Sequence, residues 1–396
     1  MATQTLLLTI NAGSSSIKFS VYEIVEPLRR TVHGEIDRIG LPHAVLTYSN
    51  GTTPSPSSSP VQAGNLTEAA AFLATWLEKH VNFKQLGVIG HRVVHGLEHA
   101  HAIVIDEPLL LQLRSTLSYD PDHLPGELAL IDLFRERHPG IPQVACFDTA
   151  FYAQLPRMAK ILAIPRRFEK AGIRRYGFHG LSYSSLLEQL MGIADPSAVM
   201  GRCILAHLGN GASITATRDQ QPVDTSMGFT PASGLPMSTR SGDLDPGVIS
   251  YLLEHEGLSP TDLDGLINHQ SGLTGISETS SDMEDLLNKE SGDERAAEAV
   301  AFFCYQVKKW IGSYSAVLGG LDLLAFTGGI GENAASIRSR CCTGLEYLGI
   351  ELDEGRNQRN GLLISADSSR VPVYCIPTDE ESIIARQTAN TIIHHQ

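Results

Sequence analysis

The sequence predicts an α/β protein built from two related domains, and three observations predict it. Strand-like and helix-like stretches alternate through both halves of the chain. Its 396 residues are long for one hydrophobic core and comfortable for two. Two glycine/serine turns, each flanked by apolar strand-like runs, recur almost half the chain apart: Leu6 to Phe19 (LLLTINAGSSSIKF) and Cys203 to Ile214 (CILAHLGNGASI). Two such hairpins facing one another would grip a polyphosphate from both sides. The expectation is a phosphate-handling protein with a cleft between its two domains.

The elements follow in order. Residues 5–24 alternate in strand fashion through a tight turn. Gly51 to Pro60 (GTTPSPSSSP) reads as a low-complexity surface loop. Leu66 to His80 has helical periodicity behind a Thr67 cap, Leu86 to Val94 reads as a strand, and Leu124 to His138 as a helix. Pro142 to Phe147 is a short buried strand ending at Asp148. Strand-rich sequence restarts at Arg202 to Arg218. Arg295 to Leu318 is a long amphipathic helix. Leu321 to Phe326 is a strand running into Gly328 to Asn333 (GGIGEN), and Thr378 to His394 reads as a closing helix. The boundary is placed near Asp148, giving domains 1–148 and 149–381, with the last helix, 382–396, returning to pack on the first.

Composition excludes several classes. With 42% hydrophobic and 19% charged residues, the chain reads as an ordinary globular protein. Its net charge of −14 argues against a general nucleic-acid or anionic-membrane binder. No apolar run approaches the roughly 18–20 residues a membrane span needs. The start enters a strand pattern by Thr5 with no basic leader. The six cysteines include no Cys-x-x-Cys and suit buried thiols in a reducing cytoplasm.

The chemistry lies in a few segments. Glycines and small serines such as Ser14 and Ser16 let backbone amides approach phosphate oxygens. Asn11 and Lys18 add an amide and a cation, although a plain hairpin would also fit. Neither a P-loop nor a strand-to-helix GxGxxG is present. The glycine turn Gly328 to Asn333 follows a strand and precedes a helical run near Ala334, a natural nucleotide site. Arg92 and Arg240 lie beside loop glycines, and their forks match carboxylate and phosphate oxygens, although salt bridges are the commoner use. His179 is a candidate donor to developing charge. His91, His95, His99 and His101 do not predict zinc, because no acidic or cysteine ligands join them. Asp148 ends a strand, where catalytic carboxylates of α/β folds often sit. Thr378 and Glu381 have capping-box spacing, which makes Glu381 structural and leaves Glu380 as the metal-ligand candidate.

Together these segments resemble the acetate kinase family. The matching pieces are NAGSSSIK from Asn11, HRVVHG from His91, FDTAF from Phe147, RYGFHG from Arg175, HLGNG from His207, TRSGDLDP from Thr239, GGIGEN from Gly328 and PTDEE from Pro377. They arrive in family order across the chain. The resemblance implies the superfamily of sugar kinases, actin and heat-shock chaperone ATPases, with two ribonuclease-H-like domains, ATP in the cleft and a homodimer. The first domain would carry the acyl substrate and the second the nucleotide. The implied reaction is acetate plus ATP giving acetyl phosphate plus ADP, with Mg²⁺ or Mn²⁺. Arg92 would bind the carboxylate, with Val94, Phe178 and Pro231 as apolar walls. Asp148, His179 and Arg240 would be catalytic, and Asn11 and Glu380 would anchor the metal. Lys18, Ser14, Ser16, His207, Leu208, Gly209, Asn210 and Gly211 would contact phosphates. Asp282, Met283, Glu284, Gly329, Ile330, Gly331, Glu332 and Asn333 would line the nucleotide site.

Three positions depart from the family pattern. Pro121-Asp122-His123-Leu124 puts an acid where a leucine of the methyl pocket is usual, and a carboxylate buried beside a substrate carboxylate is costly. Glu284 stands where arginine is typical, and Tyr152 where histidine is usual. Unchanged chemistry with shifted selectivity is expected. A propionate or other short-chain acyl kinase is the enzyme alternative. An actin- or chaperone-like ATP-binding module is the remote one.

Overall fold

The computed structural model describes residues 5–13, 15–41, 43–50 and 55–393. It divides into two compact units, one formed by Met1–Ala153 with Asp379–Gln396 and the other by Gln154–Thr378. The fold is mixed α/β in each.

The first unit holds an eight-stranded sheet. Its strands are β1 (Leu6–Ala12), β2 (Ile17–Glu23), β3 (Arg29–Asp37), β4 (Val45–Ser49), β5 (Ser57–Pro60), β6 (Leu86–Val93), β7 (Ile103–Val104) and β8 (Gln143–Phe147). They lie in the order β5-β4-β3-β2-β1-β6-β8-β7. β1 to β3 form an antiparallel meander, and β1, β6 and β8 run parallel. β1 is buried along Leu7–Ala12, as a strand covered on both faces must be, so it reads as a continuous apolar run. The second unit's sheet comprises β9 (Cys203–Leu208), β10 (Ala212–Arg218), β11 (Gln221–Thr225), β12 (Leu323–Thr327) and β13 (Val373–Cys375), in the order β11-β10-β9-β12-β13. β9 pairs antiparallel with β10 and parallel with β12, and β12 runs parallel with β13. This pattern repeats β3-β2-β1-β6-β8, strand for strand.

Helices cover the sheets. In the first unit the Leu66–His80 helix buries Leu73, Trp76 and Leu77 against β1 and β2 residues such as Leu8, Phe19 and Val21. The Glu380–Ile393 helix packs on β1, β6 and β8. It approaches β6 so closely that a Cβ on Gly90 would lie 2.1 Å from Thr388 Oγ1. In the second unit the Glu294–Leu318 helix buries Ala296, Ala299, Val300, Phe303, Val307, Ile311 and Tyr314, the helical spacing of a single core-facing stripe. Asp293 caps its start and Gly319, at φ 73°, ends it.

Local expectations differ from the structure at several points. Ser57–Pro60 is an edge strand rather than loop, because β4 offers free backbone partners to a serine run that has no apolar pattern to announce it. Asn65, not Thr67, caps the Leu66–His80 helix, its side chain accepting Glu68 N at 2.9 Å. Gly328–Asn333 is itself helical, before a second helix at Ala335–Cys342.

His91 on β6 is 2% exposed, and burial pushes its imidazole down to about 4, opposed in part by Gln143. A depressed folded pKa stabilises above the ordinary value of 6.5, and that stability is lost as pH falls toward 4. Unfolding measured across this window is expected to show a His91 contribution of up to about 1.4 kcal/mol per pH unit. In His91→Gln that share of the slope should vanish; an identical acid limb would place the titration elsewhere.

Candidate active site

In the first unit the parallel strands deliver polar groups at their carboxyl ends. β6 carries Arg92, and Asp148 follows β8 directly. Arg92 Nη2 reaches Asp148 Oδ2 at 2.7 Å, and Nε lies 3.3 and 3.2 Å from the two carboxylate oxygens. Asp148 is fully buried and the Arg92 side chain 11% exposed. Arg92 Nη1 also donates to Ala12 O at 3.2 Å and Asn11 Oδ1 at 3.4 Å. The strong pair keeps this guanidinium charged, with Glu380 and Glu127 adding to the field despite burial.

Asn11, near the end of β1, donates through Nδ2 to Glu380 Oε2 at 2.8 Å and Glu381 Oε1 at 3.0 Å. Glu381 is therefore not the capping residue its spacing suggested. Asp379 takes that role, accepting Ser382 N at 3.1 Å and freeing Glu381 to reach Asn11. Burial and the neighbouring Glu380 push the Glu381 carboxyl up, while Lys18 opposes. Lys18 is exposed opposite Asn11 on the hairpin. Ser16 closes the turn, its carbonyl accepting Gly13 N at 2.8 Å. Ser14 lies outside the described residues. Two adjacent carboxylates gathered on the Asn11 amide N–H carry excess negative charge, which fits a hard divalent cation that keeps waters and phosphate ligands. Among the described residues, no cluster of three or more His, Cys, Asp or Glu is arranged for a metal ion. His91 and His95 are buried, and His99 stacks on Phe147.

Val94 is buried beside Arg92. The acid against it is Glu127 of the Leu124–Arg137 helix, whose carboxyl oxygens lie 3.2 and 3.1 Å from Val94 N. Asp122, half-buried, sits in the turn before that helix. Glu127 is 2% exposed, and burial pushes its carboxyl well above the usual range, with Arg92 opposing. Sequence reasoning missed it. Tyr152 is buried edge-on to Phe151.

In the second unit the β9–β10 turn gathers the remaining candidates. His179 adopts a left-handed conformation, φ 61°, at the start of the Gly180–Ile193 helix. Its Nδ1 lies 2.9 Å from Ser213 Oγ, and its ring stacks on His207 at 4.2 Å. A Cβ on Gly211 would lie 3.4 Å from His179 Nε2 and 3.7 Å from Arg240 Nη1. Both side chains thus converge on a backbone left bare by glycine. Asn210 ties this turn to the arginine loop, its carbonyl accepting Ser238 N at 3.1 Å and its Oδ1 accepting Ser238 Oγ at 3.2 Å. Phe178 and Pro231 are buried, and Pro231 O accepts Arg240 Nη1 at 3.2 Å.

The glycine helix packs against the same turn. A Cβ on Gly328, at φ +79°, would meet Leu208 O at 2.6 Å, and one on Gly209 would lie 3.7 Å from Gly329 N. Gly329 is exposed and Ile330 half-buried. Glu332 turns its carboxylate to the protein, accepting Gly328 N at 2.9 Å and Thr378 N at 3.1 Å. Asn333 Nδ2 donates to Gly329 O at 2.9 Å. Beneath, fully buried Arg338 donates to Gly331 O, Glu332 O, Asn357 and Asn360, a brace no local sequence signal announced. Asp282 accepts Asp285 N as cap of the Met283–Lys289 helix, with Met283 buried and Glu284 exposed. The Met283–Lys289 helix packs on the Glu294–Leu318 helix.

The chain is 41% identical over 393 residues to an acetate kinase of Rhodopseudomonas palustris, covering 96% of this chain and 97% of that one. It is 42% identical over 386 residues to one from Rhizobium meliloti, covering 96% and 97%. Among solved structures, an acetate kinase of Porphyromonas gingivalis aligns with TM-score 0.84 and 35% identity, covering 98% of this chain and all of that one. A propionate kinase of Francisella tularensis aligns with TM-score 0.88 and 34% identity, covering 98% and 99%. The acetokinase family model matches residues 6–386, and this chain belongs to that family.

Proposed function

We propose that this protein is an acetate kinase, transferring the γ-phosphoryl group of ATP to acetate, reversibly and in line. The observation that carries the reading is the convergence of His179 and Arg240 over Gly211. Acetate is ionised at neutral pH, so its oxygen needs no base to attack phosphorus. The bond to the ADP oxygen breaks as the new one forms, and ADP leaves with the electron pair. The protein's work is to position two anions and stabilise charge. Arg92 binds the acetate carboxylate, its fork held by Asp148, whose buried, arginine-paired carboxylate has no proton to remove. Arg240 and His179 donate to the phosphoryl oxygens. The β9–β10 turn, from His207 to Gly211, and Lys18 contact phosphates, and the exposed face of Gly329–Ile330 lines the adenosine pocket. Asn11 and Glu380 would hold Mg²⁺, which would screen the phosphate charge when bound.

A second reading, propionate as preferred acid, is favoured by the similarity to the Francisella propionate kinase. One methylene changes selectivity by only about 1–3 kcal/mol, so the same machinery serves both. We also propose a homodimer. The Pro246–Glu254 helix buries none of its residues and exposes Val248 and Tyr251, with Leu244 exposed just before it. Six free, buried cysteines support a cytoplasmic setting.

The test is a hydroxylamine trap with ATP, Mg²⁺ and acetate, propionate or butyrate. Acetyl hydroxamate formed with the highest kcat/KM supports the proposal; a longer acid preferred reassigns the substrate; no product with any acid sinks it. Arg240→Ala is expected to lose about 10²–10³ in kcat while still binding ATP, and full activity would remove Arg240 from the chemistry. In Glu380→Gln the Mg²⁺ concentration for half-maximal rate should rise roughly tenfold or more. An unchanged requirement would take Glu380 out of the metal site.

A further inference from the structure

The turn that leaves β6 is held by side chains. Beyond Val93 the sheet ladder ends, so the following amides need other partners. Val94 N is taken by Glu127, Gly96 N by Thr149 Oγ1 at 2.9 Å, and Leu97 N by His95 Nδ1 at 3.2 Å. Thr149 stands next to Asp148 and His95 lies in the turn itself. Glu127 comes from a separate helix, and its carboxyl is the ionisable group that grips the residue two places from Arg92.

We propose that Glu127 is a positioning residue of the acyl-substrate site, its carboxyl pinning the Val94 amide and so fixing both the apolar wall and the approach of substrate to Arg92. The proposal rests on the acyl-kinase reading above. Three features argue for it beyond the contact itself. Glu127 sits on a helix whose neighbours Leu124, Leu128 and Ile131 belong to the core cluster that also contains Val93 and Phe147. The helix and the strand end therefore share one packed block. A Cβ on Gly96 would meet the Phe147 ring at 2.5 Å, so the turn two residues beyond Val94 packs directly on the end of β8. Finally, the groups that act on Glu127 are Arg92, Asp120 and Asp148, and Asp120 is itself bonded to His123 Nδ1 at 2.8 Å. A carboxyl placed among these groups is poorly suited to general packing, where an apolar side chain would serve better. Its position is explained by the amide it holds.

Glu127→Gln keeps an oxygen for Val94 N and nearly the same volume. Glu127→Met keeps the volume and leaves the amide unpaired, and Glu127→Asp withdraws the carboxyl by one methylene. Each is assayed with the wild type by hydroxylamine trap, with KM for acetate, KM for ATP, kcat and the acetate-to-propionate ratio of kcat/KM as readouts. The expected result is KM for acetate raised about tenfold in Met and Asp, a several-fold change in the acyl ratio, ATP KM and kcat within about threefold, and Gln close to wild type. Folded Met or Asp variants with unchanged acetate KM and acyl ratio overturn it. So does loss of folding in all three, which would make Glu127 a purely structural residue. A wild type that forms no hydroxamate defeats the acyl-kinase reading instead, which separates the two failures.

Discussion

Both sheets obey one constraint. Their central strands, β1 and β9, are buried on both faces and flanked by a parallel strand, so polar chemistry is excluded from their length and pushed to the carboxyl ends. Asn11 sits at the end of β1, Arg92 at the end of β6, and Asp148 just past β8. His207 and the glycine turn end β9, and Gly328 follows β12. Each side chain needs its strand to stop at a set register, because one residue of slip would turn it to the opposite face. Packing from the helices fixes that register. The contact of Gly90 with Thr388 is one such stop, leaving no room for even a methyl group on β6 one residue before His91 and two before Arg92.

Within the first unit, burial does the rest. Isolated charges so deep would cost several kcal/mol each, so Arg92 and Asp148 persist because they satisfy one another. The pairing leaves Arg92 charged while it bonds Asp148, Ala12 O and Asn11 at once. Held by so many partners, the fork is preorganised and has little rotamer freedom left. Glu380 and Glu381 show the converse. They crowd negative charge beside an amide, and burial and the neighbouring Glu380 work against the charged form of Glu381.

Much of this was legible in sequence. Central strands announce themselves as apolar runs, long helices as 3.6-residue stripes, and glycine turns by composition, so the α/β class and the hairpins were readable from Leu6–Phe19 and Cys203–Ile214. What escaped was set by tertiary partners. Ser57–Pro60 became a strand because β4 was adjacent. Glu381 matched a capping box, yet Asp379 won the cap and Asn11 won Glu381. Glu127 and Arg338 have no local signature, since their meaning lies in the Val94 amide and in the Gly331 and Glu332 carbonyls they meet only after folding. Asp122 drew attention as a departure from a family pattern, while the acid that takes the Val94 amide lies five residues later, three beyond the motif.

The two units repeat one strand order and put it to different uses, and the difference lies in what each hairpin turn bears. The β1–β2 turn carries Asn11 and Lys18, a polar amide and a cation, next to carboxylates from the closing helix. The β9–β10 turn carries Gly209 and Gly211, whose missing side chains leave space that His179, Arg240 and the Gly329 backbone border. A Cβ on Gly211 would occupy that space, in van der Waals contact with both His179 and Arg240. Removing atoms is thus as much a part of the second turn's chemistry as adding charge is of the first. His179 has a left-handed backbone at the start of the Gly180–Ile193 helix, and its imidazole lies on Ser213 and His207. A non-glycine residue adopts it at a cost of about 1–3 kcal/mol, which the surrounding contacts must offset, and such strain persists where a side chain has to be aimed.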